Sequence, residues 1–449
     1  MTVVNTRHAP VDLAIVGAHV VTVDGKDTVL RGGSVTITGN RISGVHAAGE
    51  PVPPSRRTID ASRAMLLPGF VNIHAHSVLT GLRGRTEDVA GEVSLHSHIL
   101  PFRARVTPER AHALGRLGAL ESLRFGTTTI VDLYWHEDAI GEAFAEVGVR
   151  GVLGESISET DLLKVGHDDW GFDRKRGEET FRRAEAVIAK WHGRHGDRFR
   201  CIVSPHAPDD CSPELLAEIK SLAARHGLPI TMHVSQSRSE SRRLKKWYGK
   251  GSIAFLADQG LLGPGLIASH CCFLDEEEIR MMAKSGAWIA HLPMINAKRG
   301  YAAPTPGMLA AGARLTVGAD NMTGDMVMAT RTAIIVARIL ARSSTLLPPR
   351  EAIRLATIEG AKALGQEDRI GSIEVGKLAD LMLVDLDKPH LYPITDPLAT
   401  FLHWGLASDV DTVIVDGEIV LRGGRALRVE HRQVLDAAQH AAETGWAPS

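Results

Sequence analysis

The sequence predicts an α/β fold: a (β/α)8 TIM barrel flanked by a small β-sandwich domain formed from both chain ends. Three observations predict it. Eight apolar, β-branched runs alternate with helical stretches between residues 66 and 365. Strand-like segments lie on both sides of that region, before residue 65 and after residue 365. Several of the eight runs end in histidine or aspartate, and a barrel carries its chemistry at the C-terminal ends of its strands.

The first 65 residues read as short strands broken by turns. DLAIVGAHVVTVDG ends at Asp24-Gly25, SVTITGNRISGVHA turns at Gly39-Asn40, and VPPSRRTIDASRA leads to Met65-Leu66-Leu67-Pro68-Gly69. Strands are then expected near residues 70–76, 127–133, 149–156, 200–206, 229–235, 266–270, 287–291 and 315–320. Between them, PERAHALGRLGALESLRFG ends on Gly126, a helix stop signal, and another helix opens with Ser212 as N-cap and Pro213 at its first position. After residue 365 come GSIEVGKLADLMLVDL and DTVIVDGEIVLRGG, the second folded at Asp416-Gly417 as a tight hairpin. RQVLDAAQHAAETGW closes the chain as a helix. The expected division is 1–65 with 366–430 as the β-sandwich, 66–365 as the barrel and 431–449 as a helical tail.

Composition narrows the function classes. The 449 residues carry 51 Lys+Arg against 53 Asp+Glu, a net charge of −2, so no bulk field draws the chain to nucleic acid or an anionic membrane. No apolar run is long enough to span a bilayer, and the N-terminal stretch lacks a signal-peptide pattern, so the cytoplasm is the expected compartment. The four cysteines, Cys201, Cys211, Cys271 and Cys272, are too few for a disulfide framework at this length. The 21 histidines are the compositional excess, and imidazole is a common metal ligand.

The leading local signal is His74-Ala75-His76. Residues i and i+2 of a strand share a face, so both imidazoles leave it together. His206, His233, His270 and Asp320 fall at further predicted strand ends. Taken singly, His206 or His270 reads equally well as a hydrogen-bonded core residue. Five histidines and an aspartate in one mouth favour a metal ion. A second pair, His96 and His98 in SLHSHILP, falls in an expected loop and reads as structural or as part of a substrate loop.

The motifs LPGFVNIHAHS, SPHAPDDCSPELL, TMHVSQS, ASHC, AHLPMINAKRG and VGADNM, in this order, resemble the amidohydrolase superfamily. The branch is that of triazine hydrolases, nucleoside and nucleobase deaminases, and urea and carbamate hydrolases. The tail LATIEGAKALGQEDRIGSIEVGKLADLMLVD matches that family's return into its β-domain. The resemblance implies His74, His76, His233 and Asp320 as ligands of one divalent metal ion, zinc first, with Fe, Co or Mn also suited. It further implies Asp320 as proton carrier, His270 as the residue orienting water or substrate, and His206 and Asn296 as substrate contacts. A homo-oligomer acting on a small molecule is the assembly such relatives suggest. A catalytically dead barrel scaffold is the reading of a different class; it is disfavoured because all four ligand positions are kept.

Two departures from the family pattern matter. The fourth-strand stretch CIVSPH has no lysine to bridge a second metal, which leaves Glu155 as the alternative bridge. The deaminases have His-x-x-Glu on the fifth strand, whereas this chain reads His233-Val234-Ser235-Gln236, and an amide cannot deliver a proton. Gln236 is therefore read as a catalytic and substrate-binding residue of altered chemistry. The expectation is hydrolysis of a non-peptide C–N bond of amide, urea or carbamate type, with deamination or dechlorination of an N-heterocycle as the alternative. Glu240, Asp209 and Asp210 are candidate substitute acids; Lys298, Trp135, Leu79 and Leu82 are candidate pocket walls.

Overall fold

A computed structural model describes residues 10–89, 95–161, 164 and 170–446. The first five strands are β1 (Val11–Val21), β2 (Val29–Thr38), β3 (Arg41–His46), β4 (Ser55–Asp60) and β5 (Ala64–Pro68). The next ten are β6 (Phe70–Ala75), β7 (Thr127–Asp132), β8 (Arg150–Leu153), β9 (Ser156–Ile157), β10 (Phe199–Cys201), β11 (Ser204–Pro205), β12 (Ile230–Val234), β13 (Leu266–His270), β14 (Trp288–His291) and β15 (Arg314–Val317). The last four are β16 (Leu381–Asp385), β17 (Val410–Val415), β18 (Glu418–Arg422) and β19 (Arg425–Ala426).

Strands β6 to β15 pair only in parallel, in the orders β10-β8-β7-β6, β11-β9 and β12-β13-β14-β15. Their residues are almost entirely buried, as parallel strands covered by helices on the outside must be. Parallel bridges Val203–Ile230 and Ala75–Asp320 link the first four-stranded sheet to the second at both edges. At the second junction Asn72 Oδ1 accepts from the Ala319 backbone N–H at 3.0 Å. A Cβ at Gly318 would stand 3.0 Å from the His74 backbone nitrogen, so only glycine lets the chain after β15 lie this close to β6. Two expected strands are each interrupted: 149–156 becomes β8 and β9, and 200–206 becomes β10 and β11.

Sequence signals set the helix ends. Thr107 caps Pro108–Arg124, accepting from Arg110 N–H, and Gly126 follows with φ +89°. Ser212 Oγ accepts from Leu215 N–H at 3.2 Å to open Pro213–His226, with Pro213 at its first position. The remaining strands join both chain ends in one nine-stranded sheet, ordered β19-β18-β17-β16-β5-β1-β2-β3, with β4 also paired to β1. The β17–β18 hairpin turns at Asp416-Gly417, both with positive φ, as a type I′ turn requires. Helix His431–Trp446 packs on Pro108–Arg124, and Trp446 Nε1 donates to Gly81 O at 2.8 Å in the turn that follows His76. Among the described residues no helix is long and apolar enough to cross a membrane.

Candidate metal centre

Strand β6 delivers His74 and His76 from one face, β12 delivers His233, β13 ends on His270, and Asp320 follows β15. The Nε2 atoms of His74 and His76 lie 3.1 Å apart, and those of His76 and His233 lie 3.3 Å apart. Asp320 Oδ1 is 3.9 Å from His74 Nε2 and 3.6 Å from His76 Nε2; its Oδ2 is 3.8 Å from His270 Nε2. All five side chains are buried.

The opposite ring nitrogens fix the tautomers. His76 Nδ1 donates to Leu133 O at 2.6 Å, His233 Nδ1 to His206 O at 2.8 Å, and His74 Nδ1 meets Ser269 Oγ at 2.8 Å. A backbone carbonyl can only accept, so the Nε2 atoms of His76 and His233 carry lone pairs. These two lone pairs, facing each other at 3.3 Å, repel unless something positive sits between them. A tetrahedral ion with metal–nitrogen bonds of about 2.0–2.1 Å sets donor atoms about 3.3–3.4 Å apart. His270 Nε2 and Asp320 Oδ2 are buried with no hydrogen-bond partner, which adds two unfilled donor atoms to the same space. The residues fit a divalent ion. Burial pushes His76 and His270 down to about 3 and holds His74 and His233 well below the usual imidazole range, which keeps the rings neutral, the form that binds metal. Burial lifts the Asp320 carboxyl to about 6.

Around this cluster the other sequence candidates take definite places. His206 follows β11, a quarter exposed, its ring 4.8 Å from that of His233, and its Nδ1 lies 2.5 Å from Asp210 Oδ2. Asn296 Oδ1 accepts from His270 Nδ1 at 3.1 Å, so it stands behind that histidine, with its Nδ2 unpartnered. Gln236 is half-buried two residues beyond β12, and its backbone N–H donates to Glu240 Oε2 at 2.9 Å. Three candidate acids are engaged elsewhere: Glu240 on backbone N–H groups and Ser252, Asp209 on Arg243, Asp210 on His206. Glu155 lies with Asp132 and Glu137, accepting from Glu137 N–H at 2.9 Å, and is not grouped with the histidines. Lys298 is exposed, while Leu79, Leu82, Cys271 and Cys272 are buried. His96 and His98 lie on a helical turn, Leu95–Ile99, rather than in a loop; the His96 side chain is outside the described residues.

Sequence reasoning missed Ser269, which fixes His74, and His291, buried at the end of β14 with both ring nitrogens unpartnered. Histidine at a strand end was a signal for His291. Nothing local marks Ser269.

The family model described as the amidohydrolase family matches residues 65–420. This chain belongs to the amidohydrolase family. The 5-methylthioadenosine/S-adenosylhomocysteine deaminase of Syntrophobacter fumaroxidans is 32% identical over 440 residues, spanning 96% of this amidohydrolase and 98% of that protein. The 5'-deoxyadenosine deaminase of Methanosarcina mazei is 32% identical over 438 residues, with the same 96% and 98% spans. A crystal structure of an adenosine deaminase from Xanthomonas campestris with bound zinc superposes with a TM-score of 0.90 at 29% identity, covering 97% of this chain and 99% of that one. The amidohydrolase is thus a metal-dependent hydrolase acting on carbon–nitrogen bonds other than peptide bonds.

Proposed function

We propose that this amidohydrolase hydrolytically deaminates a small N-heterocycle, exchanging an exocyclic amino group for oxygen and releasing ammonia. The whole-length likeness to purine nucleoside deaminases, laid over an intact donor set, carries this reading. His74, His76, His233 and Asp320 would hold the metal, with zinc the ion bound by the structural relative. A divalent ion in such a site supplies Lewis acidity and makes water nucleophilic at neutral pH.

In this reading Asp320 takes the proton from the attacking water and passes it to the departing nitrogen. His270, held from behind by Asn296, aims Nε2 at the reacting atoms. His206, braced by Asp210, meets the substrate from the exposed side. Gln236 donates a hydrogen bond to a ring nitrogen that it cannot protonate.

The two bridges at Val203–Ile230 and Ala75–Asp320 support closure of the parallel strands into a (β/α)8 barrel over residues 66–365. The nine-stranded sheet is then a flanking β-sandwich of residues 1–65 and 366–430, folded over its own apolar cluster around Ile15, Val35, Leu66, Leu383 and Ile414. Residues 431–449 form the tail.

Gln236 favours a second reading, hydrolysis of an amide, urea or carbamate, in which no ring nitrogen needs a proton. Product identification separates the two. Metal-loaded protein is incubated with aminopurines, aminopyrimidines and aminotriazines, and with ureas and carbamates. Ammonia and the oxo-heterocycle are expected from a ring amine. Turnover of ureas or carbamates with inert ring amines would establish the second reading instead.

A further inference from the structure

Arg103 is a buried cation with no ion-pair partner within 4.0 Å among the described residues. It lies on the short helix Leu100–Ala104, is 5% exposed, and donates from Nη2 to Ser156 Oγ at 3.0 Å. Its Nε is buried with no acceptor, and among the described residues no carboxylate oxygen lies within 4.0 Å of the guanidinium. The guanidinium stacks 4.1 Å from the centroid of the Trp135 ring and 5.1 Å from that of Tyr134. Arg176 and Arg183 approach the same indole at 5.5 and 5.6 Å. Arg183 is paired with Glu155 and Glu179, and Arg176 stands 3.9 Å from Asp161. Of the three, Arg103 alone makes no ion pair within 4.0 Å among the described residues.

The carboxylates of Asp210 and Glu155 attract the guanidinium only from beyond 4.0 Å. Trp135 Nε1 and Tyr134 Oη are also buried and unpartnered, and indole N–H and guanidinium can donate but never accept. Tyr134 and Trp135 follow β7 and Ser156 opens β9, so the cluster sits at strand C-terminal ends. The Tyr134 ring is 6.0 Å from that of His76. A buried guanidinium stays charged and costs stability unless a negative or strongly accepting group meets it. Its planar fork matches the oxygens of a carboxylate or a phosphate.

We propose that Arg103, with Tyr134 and Trp135, forms a subsite for an anionic oxygen group, carboxylate or phosphate, carried by the substrate beside its reacting ring. The inference rests on the deaminase reading, since it places that group relative to the ring amine.

The test uses the full-length, zinc-loaded enzyme and its Arg103→Met variant. Adenosine serves as the neutral probe, adenosine 5'-carboxylic acid and adenosine 5'-monophosphate as the two anionic ones. Wild type should prefer an anionic probe in kcat/KM, and Arg103→Met should lower the anionic-to-neutral ratio by about 100-fold, mainly through KM. The preferred anion tells carboxylate from phosphate. Calorimetric binding of the same probes reads the ratio without turnover, so the inference can be decided even if no probe is deaminated. An equal ratio in the two proteins would overturn it while leaving the deaminase reading intact. The thermal midpoint is a second readout: losing an uncompensated buried charge should raise it, whereas a lowered midpoint would assign Arg103 a structural role and overturn the proposal.

Discussion

Each candidate ligand histidine has one nitrogen tied down and the other free. The acceptors for His76 and His233 are backbone carbonyls of Leu133 and His206, groups that every sequence offers, so no side-chain motif announces them. The candidate residues were legible at strand ends from strand periodicity, and the choice of His74, His76, His233 and Asp320 among them came from the family resemblance. Whether Asn296 touches substrate or holds His270 depended on a contact across 26 residues of chain, which local pattern cannot supply. Gln236 is where one residue bears most on chemistry. In the deaminase reading, Gln236→Glu restores a proton donor at the ring nitrogen and should raise kcat on ring amines by about 10-fold or more, since a placed general acid contributes roughly 10²–10⁴-fold. Steady-state ammonia release checks it. An unchanged or lower kcat would mean that the amide faces a carbonyl.

Between strands and helices, the end of β7 gathers charge that no mechanism here uses. Asp132 Oδ2 accepts from the Ser77 N–H at 2.8 Å, Glu137 Oε1 from the Tyr134 N–H at 2.8 Å, and Glu155 Oε2 from the Glu137 N–H at 2.9 Å. Asp132 Oδ1 and Glu137 Oε2 are buried without a donor. Burial lifts Asp132 to about 6, and burial with repulsion from Asp132 and Glu155 lifts Glu137 well above its ordinary value of 4.5. The folded protein therefore holds a proton here that the unfolded chain releases, and stability falls as pH rises through the raised values. Glu137→Gln keeps the acceptor for Tyr134 and gives Asp132 a permanent donor. The midpoint difference, variant minus wild type, should grow from about pH 5 to pH 8 in thermal melts. A difference flat with pH would contradict the shared proton. The strand–helix alternation, the Ser212 cap, the Gly126 stop and the Asp416-Gly417 turn were readable. The breaks that make β9 and β11 separate were not, because strands of two residues are too short to carry an alternation.

Across the molecule, both chain ends converge on one sheet, and that sheet is bolted to the parallel strands by Arg150. This guanidinium, on β8, donates to Asp380 at 2.7 and 3.0 Å, and both side chains are 2% exposed. Asp380 also accepts from the Asp416 N–H at 2.7 Å, so one carboxylate ties the parallel strands to the β17–β18 hairpin. Removing Asp380 leaves the buried Arg150 only Asp416, at 3.4 Å, to meet its charge. Asp380→Ala should cost about 3–5 kcal/mol in chemical denaturation, and a loss below about 1 kcal/mol would show that the pair does not lock the two parts together. That both ends form strands was visible in their alternation. That they share a single nine-stranded sheet was not, since the pairing of β5 with β16 joins residues more than three hundred apart. The central claim remains the ion held by His74, His76, His233 and Asp320. Elemental analysis of purified protein tests it most directly: about one equivalent of divalent metal per chain is predicted, sharply reduced in His233→Ala, whereas metal-free protein with full hydrolytic activity would contradict it.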